Sequence, residues 1–395
     1  VLVYTYKFRL YPTPQQILLL EGNLETCRRL YNQILSSISK GNKLSKVDTQ
    51  NFIPEWKKTN PYLKKVYSKV LQMVNYTLWS NVRGLSESKK KSNRIGGLRF
   101  KGKGWYKTLN FNQSGFKIDE SNNRIKFSKI GNIRTIIHRK IDGAVKGIII
   151  KKTNTGKWFV NVQIDKQVAP LPVTGKDVGL DVGISKFVTD SDKNEFEYPR
   201  NIDKTLTKIK KQQRELSGKK KGSNNRKKVK QQLGIIYETL ENQRIDFLHK
   251  MSTYYIRNYD LIAHEDLNIT NMLQSKRSKT LNRHILDASW GEFFNMLNIK
   301  AESAGRKVVK VDPKNTTPKC SVCKTIVPKK LSDRTHNCNC GHLVPRDYNA
   351  AQNVLFDAYS LNGNRRKGLS SLFVEKNPLL FTFSSNEIAS GKIFC

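Results

Sequence analysis

Apolar and polar residues alternate through Val3-Tyr4-Thr5-Tyr6-Lys7-Phe8-Arg9-Leu10, the two-residue period of a strand. Pro12-Thr13-Pro14 then opens an amphipathic helix that should run to about Ser39. From Tyr62 to about Ser86, Val66, Val70, Met73, Val74, Thr77 and Leu78 fall on one helical face, with Lys64, Lys65, Lys69 and Arg83 elsewhere. Between Leu98 and Val168 the period shortens again, in runs such as Gly147-Ile148-Ile149-Ile150 and Trp158 to Ile164, broken by Gly- and Asn-rich turns. These runs predict a small barrel or sheet that pairs with the opening strand and carries the first helical region as an insertion. Ala169-Pro170-Leu171-Pro172 reads as the linker out. Beyond it, Asp177 to Gly183 and Lys186 to Asp190 form a hairpin pattern with an inward-facing acid at Asp181. Two basic helical segments follow, interrupted from Gly218 to Asn225, then a helix from about Leu233 to Asn258 and a strand, Asp260 to Leu267, ending in carboxylates. Strand, helix, strand is the order of α/β folds.

Charge changes the picture next. The 395 residues hold 72 Lys and Arg against 32 Asp and Glu, a formal net charge of +40. So one-signed a chain repels itself unless a polyanion neutralises it, which points to nucleic acid. The sequence contains no apolar run long enough for a membrane span and opens with no signal-peptide pattern, so a soluble, cytoplasmic protein without a membrane partner is expected. Length predicts two to four domains. Between Lys204 and Lys230 there are twelve Lys or Arg and one acid, Glu215. With a single acid against twelve cations, Lys208, Lys211, Arg226 and Lys227 suit a surface tracking phosphates; a merely solvated face is the alternative.

Candidate chemistry is concentrated near the C-terminus. Cys320, Cys323, Cys338 and Cys340 fall within 21 residues in two close pairs, a spacing suited to one tetrahedral zinc ion. His336 or His342 could replace one thiolate. Three acids distant in sequence, Asp181, Glu265 and Asp347, stand at two strands and at the start of a helix beginning near Tyr348. Taken singly, each is a helix-end charge or a loop cap. Taken together, carboxylates gathered at one sheet edge are what phosphodiester hydrolysis with two Mg²⁺ ions requires.

Several stretches together resemble TnpB, the transposon-encoded RNA-guided DNA endonucleases related to type V CRISPR effectors. They are Tyr6 to Gln15, Gly179-Leu180-Asp181-Val182-Gly183, Asn242 to Lys250, Glu265-Asp266-Leu267-Asn268, and the cysteine pairs followed by Arg346-Asp347-Tyr348-Asn349-Ala350-Ala351. The resemblance covers about residues 3 to 357. It implies a RuvC-type nuclease on an RNase H-like fold, with Asp181, Glu265 and Asp347 as catalytic ligands of Mg²⁺ or Mn²⁺. None of the three is substituted.

Also implied are a guide RNA, a double-stranded DNA target, a short target-adjacent motif read by the protein, and a monomeric ribonucleoprotein. Arg99, Lys101 and Lys103 become candidates for backbone contacts. By position, Tyr67, Ser68, Lys69 and Gln72 correspond to the segment meeting the target-adjacent duplex, and Arg244 joins the nucleic-acid contacts. Arg346 either orients a scissile phosphate or pairs with an acid. Trp105, Tyr106 and Phe111 either stack on bases or fill a barrel core.

The fold expected is multidomain α+β. A β-barrel wedge spans 1–12 and 98–170, with a helical recognition insertion at 13–97. A RuvC-like nuclease domain of RNase H-like α/β type spans 171–317 and 343–362, interrupted by a zinc ribbon at 318–342. Residues 363–395 form a tail, either disordered or read through from the transposon end. The departures from the family pattern are one residue, rather than two, between Cys338 and Cys340, Lys324 where a glycine often closes the first knuckle, and Val344-Pro345 ahead of Arg346, a proline compatible with a helix start. A guide-dependent DNA-binding regulator without cleavage is the alternative function, and a strand-transferring transposase a third.

Overall fold

In the computed structural model, which describes residues 2–39, 44–91, 95–274, 282, 286–330 and 332–361, the chain forms two compact units divided at Gln167/Val168. The tail at 363–395 lies outside the described residues.

The first unit runs β1 (Leu2–Tyr11), α1 (Pro14–Ser39), α2 (Lys46–Thr59), α3 (Pro61–Lys64), α4 (Ser68–Lys91), β2 (Thr108–Asn112), β3 (Phe116–Asp119), β4 (Arg124–Phe127), β5 (Gly131–Ile136), β6 (Ala144–Lys152) and β7 (Trp158–Lys166). Its strands make a seven-stranded, barrel-like antiparallel sheet in the order β2-β6-β7-β1-β5-β4-β3. β1 lies in the middle, registered on β7 from Leu2 opposite Lys166 to Leu10 opposite Trp158. Period-two burial fixes that register, because Trp158, Val160, Val162 and Ile164 alternate with half-buried residues and a one-residue slip would expose all four. The same core takes in Leu20, Leu30 and Ile34 of α1 and Val70, Val74 and Leu78 of α4. Each such aliphatic side chain contributes about 1.5–3 kcal/mol by leaving water.

Two expectations need correction here. The helix predicted from Tyr62 to Ser86 is broken at Lys65–Tyr67 into α3 and α4. At the break, Tyr67 leaves the helical path to stack on Phe111, with ring centroids 6.1 Å apart, and to donate to or accept from Ser114 Oγ at 3.1 Å. Regular sheet structure begins at Thr108 rather than Leu98.

The second unit holds β8 (Asp177–Val182), β9 (Val188–Asp190), β10 (Glu195–Phe196), α5 (Arg200–Ser217), α6 (Asn224–Asn258), β11 (Leu261–Glu265), α7 (Ile269–Gln274), α8 (Trp290–Ala304), β12 (Lys307–Val311), β13 (Thr335–Asn337), β14 (Leu343–Pro345) and α9 (Arg346–Leu361). β10-β9-β8-β11-β12 form a mixed sheet in which β8, β11 and β12 are parallel and β9 and β10 antiparallel. Among the described residues no helix is long and apolar enough to cross a membrane.

α6 begins at Asn224, not near Leu233. The Ser223 hydroxyl accepts the Arg226 amide as an N-cap, and Val229, Leu233 and Leu240 then bury one stripe, the latter two packing with Ile202 and Ile209 of α5. Basic residues in that first stretch are good helix formers, so the lysine run continues the helix instead of interrupting it.

The sheet of the second unit is covered on both faces. Val178, Leu180 and Ile262 join Leu248, Tyr255, Phe293 and Leu297 of α6 and α8 on one side. On the other, Leu261, Ala263, Val309 and Val311 meet Val354 and Ala358 of α9. α9 lies so close to β8 that a Cβ on Gly179 would stand 2.2 Å from the Ala351 carbonyl oxygen and 2.7 Å from the Leu355 nitrogen. Only glycine permits that seat. Gly179→Ala should therefore cost about 1–3 kcal/mol or more by forcing helix and strand apart. Thermal denaturation of the full chain should read this as a melting temperature several degrees lower.

Candidate metal centres and nucleic-acid interface

Strand alternation decides which side chains meet α9. In β8, Val178 and Leu180 point toward α6 and α8, so Gly179 and Asp181 face α9. In β11, Leu261 and Ala263 lie under α9, and Glu265, last in the strand, continues on that face. Asp347 enters from the helix itself, one turn before the Ala351 carbonyl that rests on Gly179. The seat on Gly179 thus brings Asp347 to the end of the sheet where Asp181 and Glu265 stand.

Electrostatics record the convergence. The half-buried Asp181 carboxyl is driven well above the usual carboxylate range, first by burial, then by the charges of Glu265 and Asp347; Arg346 acts in the opposite direction. Burial also raises Glu265, partly offset by the Thr316 hydroxyl that donates to its Oε1. Arg346 Nε donates to Asp347 Oδ1 at 3.0 Å, and its Nη1 to the Asp333 carbonyl at 3.0 Å. Among the described residues only the four cysteine thiols stand close enough to share one ion; the three carboxylates are not so placed as they stand, and a divalent cation would draw them together. Their oxygens are hard ligands, and their mutual repulsion is relieved when a cation sits among them.

Another buried acid on the same hairpin has a different task. Asp190 is paired with Leu180 across the β8–β9 ladder and so faces α6. There it accepts from the amides of Asp192 and Asn194, from Asn194 Nδ2 and from the Tyr255 hydroxyl at 3.3 Å. Burial pushes its carboxyl up to about 6. It closes the β9–β10 turn and is apart from the α9 face.

The cysteines meet as their spacing predicts. The Sγ atoms of Cys320, Cys323, Cys338 and Cys340 all lie within 4.8 Å of one another, with 3.7 Å from Cys320 to Cys340 and 3.4 Å from Cys323 to Cys338. Such a cage suits zinc at roughly 2.3 Å per bond, and the single residue between Cys338 and Cys340 does not prevent it. Hydrogen bonds from Thr325 lower the Cys323 thiol, while the neighbouring Cys338 thiol is raised, so the two do not ionise alike. Both histidines have other partners: His342 Nε2 lies 3.0 Å from Ser321 Oγ, and His336 Nδ1 meets Lys329 Nζ. Lys324 takes the left-handed conformation at φ 65°, which accounts for the glycine commonly found at that knuckle. Its ammonium sits 3.7 Å from the centroid of Phe356 on α9 and donates to the Ser321 carbonyl at 2.7 Å, interactions that a glycine would lack.

The proposed nucleic-acid contacts divide by environment. Ser68, Lys69, Arg99, Lys103, Lys208, Lys211 and Lys227 are exposed, and Gln72 is half-buried. Tyr67 packs as described above. The Lys101 backbone is pinned to α1, its carbonyl accepting from Arg28 at 2.8 Å and Asn32 at 3.0 Å and its amide donating to Asn32 Oδ1 at 2.8 Å. Arg226 donates to the carbonyls of Leu216 and Lys219, closing the end of α5, and Arg244 pairs with Asp287 at 2.7 Å. Those two arginines work within the fold. Of the three aromatics, Phe111 is buried and Tyr106 packs against the first core, whereas Trp105 is 76% exposed. Phe100, 59% exposed between Arg99 and Lys101, escaped the sequence reading; its basic flanks were the available signal.

Comparison with known proteins follows this geometry. Residues 159–276 match a family described as "Probable transposase", residues 290–354 the "Cas12f1-like, TNB domain", and residues 4–41 a "Helix-turn-helix domain". The last match falls on β1 and α1, one strand and one long helix. "Putative RNA-guided DNA endonuclease InsQ" of Escherichia coli (strain K12) is 31% identical over 374 residues, covering 89% of this chain and 91% of that protein. A "Putative RNA-guided DNA endonuclease" of Streptomyces pristinaespiralis is 30% identical over 367 residues, covering 89% and 88%. Among solved structures, the Cas12f1–sgRNA–target DNA complex contains a chain that shares this fold, with a TM-score of 0.56 at 13% identity over 89% of this chain and 98% of that one.

The thiol cage predicts about one zinc per chain by elemental analysis. Cys338→Ser should lose most of it, while His342→Ala retains it. Equal loss in both variants would put a histidine among the ligands.

Proposed function

Since this chain belongs to the TnpB family, related to the type V effectors, we propose that it is an RNA-guided, divalent-metal-dependent endonuclease of double-stranded DNA in which Asp181, Glu265 and Asp347 hold the metal. What supports this reading is that strand alternation and the start of α9 put those three carboxylates on one face of the second sheet, where Asp181 is driven upward first by burial and then by the charges of the other two. The sheet order, with three parallel strands followed outward by two antiparallel ones and helices on both faces, supports an RNase H-like, RuvC-type nuclease domain. The thiol cage between β12 and α9 supports a structural zinc ribbon.

Divalent cations held by the three carboxylates would activate water for in-line attack on phosphorus and stabilise the leaving oxygen. The chain's own groups do the rest. Gly179 and α9 set the spacing of Asp181 and Asp347. Arg346, fixed against Asp347, offers guanidinium N–H groups at the same corner to a scissile phosphate. Excess positive charge neutralises the guide and target backbones, with the exposed Arg99, Lys103, Lys208, Lys211 and Lys227 as contacts. Base pairing to the guide then reads the target, while the protein reads a short adjacent motif. The first unit, a barrel-like wedge with its helical insertion, would hold the guide and the target-adjacent duplex, and the assembly would be a monomeric ribonucleoprotein.

The test is Mg²⁺-dependent cleavage of a plasmid library carrying the guide complement, using protein purified with its co-expressed RNA. Wild type should cleave, and Asp181→Ala should lose at least about 100-fold in rate while binding the target equally, since its backbone contacts are untouched. Guide-dependent binding without cleavage in both proteins would leave the regulator as the function.

A further inference from the structure

The segment between β12 and the first cysteine passes over the carboxylate end of the sheet, and one side chain in it reaches the site. Thr316, 1% exposed, directs Oγ1 at Glu265 Oε1. The hydroxyl also lies 3.1 Å from the Pro313 carbonyl, but it carries one proton, and the Glu265 oxygen is the nearer acceptor. Glu265 is therefore tethered through a group that the sequence reading passed over.

Thr316 is itself held by α9. Asn353 Nδ2 donates to the carbonyls of Thr316 at 2.9 Å and Lys319 at 2.6 Å. One turn earlier, Asn349 Nδ2 donates to the Lys319 carbonyl at 2.8 Å, and Asn349 Oδ1 accepts the Ser321 amide at 2.9 Å. Both asparagines are fully buried. Their orientation follows from their surroundings: two carbonyls face each Nδ2, and a flipped amide would set oxygen against oxygen. The helix that supplies Asp347 thus also fixes the loop whose hydroxyl orients Glu265, and Lys319 and Ser321 on either side of Cys320 tie that loop to the thiol cage.

We propose that Thr316 is a positioning residue for the nuclease reaction, holding Glu265 in the orientation that completes the three-carboxylate site, with Asn349 and Asn353 as its anchors on α9. The proposal rests on the nuclease reading above. A ligand carboxylate without its outer hydrogen bond is free to rotate, and loss of such a partner typically weakens metal affinity 10- to 100-fold.

Thr316→Val keeps the shape and removes the donor; Thr316→Ser keeps the donor and removes the methyl; Thr316→Ala removes both. In the guide-loaded protein, half-saturation by Mn²⁺, followed by electron paramagnetic resonance, should move to about 10-fold or more higher concentration in the valine and alanine variants and stay at the wild-type value in the serine variant. The Mg²⁺ concentration for half-maximal cleavage should shift in parallel, with zinc content and target binding unchanged. Wild-type cation dependence in the valine and alanine variants would overturn the proposal. So would equal impairment of the serine variant, since packing of the methyl would then be the cause. Should valine fail to fold, the serine–alanine pair decides. Failure of the nuclease reading is distinguishable, because wild type would then cleave no better than Asp181→Ala, while the Mn²⁺ titration would still report on Thr316.

Discussion

The seating of α9 on Gly179 is the contact on which the rest of the second unit depends. Side chains normally hold a helix away from a sheet; here a strand residue without a Cβ lets the helix backbone touch the strand. That approach brings a carboxylate from the first turn of α9 to two carboxylates that strand alternation has placed on the same face. It also sets Asn349 and Asn353 against the loop that enters the cysteine cage. Small residues along that helix, Ala350, Ala351 and Ala358, are buried for the same reason.

Two opposite electrostatic problems coexist in the chain. The chain carries a net charge of +40, whereas Asp181 lies within reach of the like charges of Glu265 and Asp347. Exposed cations do little for stability and are available to a phosphate backbone. Buried or half-buried cations have been taken into the fold instead: Arg306 pairs with Asp260 and donates to the Pro172 carbonyl, and Arg226 closes α5. Burial thus separates cations that hold the protein together from those left for a partner, a distinction that the number of charges alone does not give.

What the sequence disclosed depended on the range of the interaction. Local signals were strong. The alternation in Val3 to Leu10 announced β1, and the alternating runs between Leu98 and Val168 announced a sheet for it to join, though not that β7 and β5 would be its neighbours; cysteine spacing announced the cage. Signals that depend on caps and contacts were weaker. Ser223 starting α6 and the break at Tyr67 both escaped periodicity, because one hydroxyl or one stacked ring outweighs the pattern around it. The three acids stood out in the sequence as candidates, and the packing that puts them on one face did not, since Gly179 as a helix seat requires knowledge of where α9 crosses. Thr316, Asn349 and Asn353 carried only a faint mark, the i,i+4 spacing of two polar residues on an otherwise apolar helix face. Arg226 and Arg244, expected as nucleic-acid contacts, are half-buried and bonded within the fold, Arg226 to carbonyls at the end of α5 and Arg244 to Asp287, partners that the charge pattern alone does not reveal.

The central claim is that Asp181, Glu265 and Asp347 together form one cation site. Anomalous scattering from crystals of the guide-loaded protein soaked in Mn²⁺ tests it most directly. The account predicts manganese peaks among the three carboxylates, absent in Asp347→Ala. Manganese bound elsewhere, with those carboxylates ligating nothing, would contradict it.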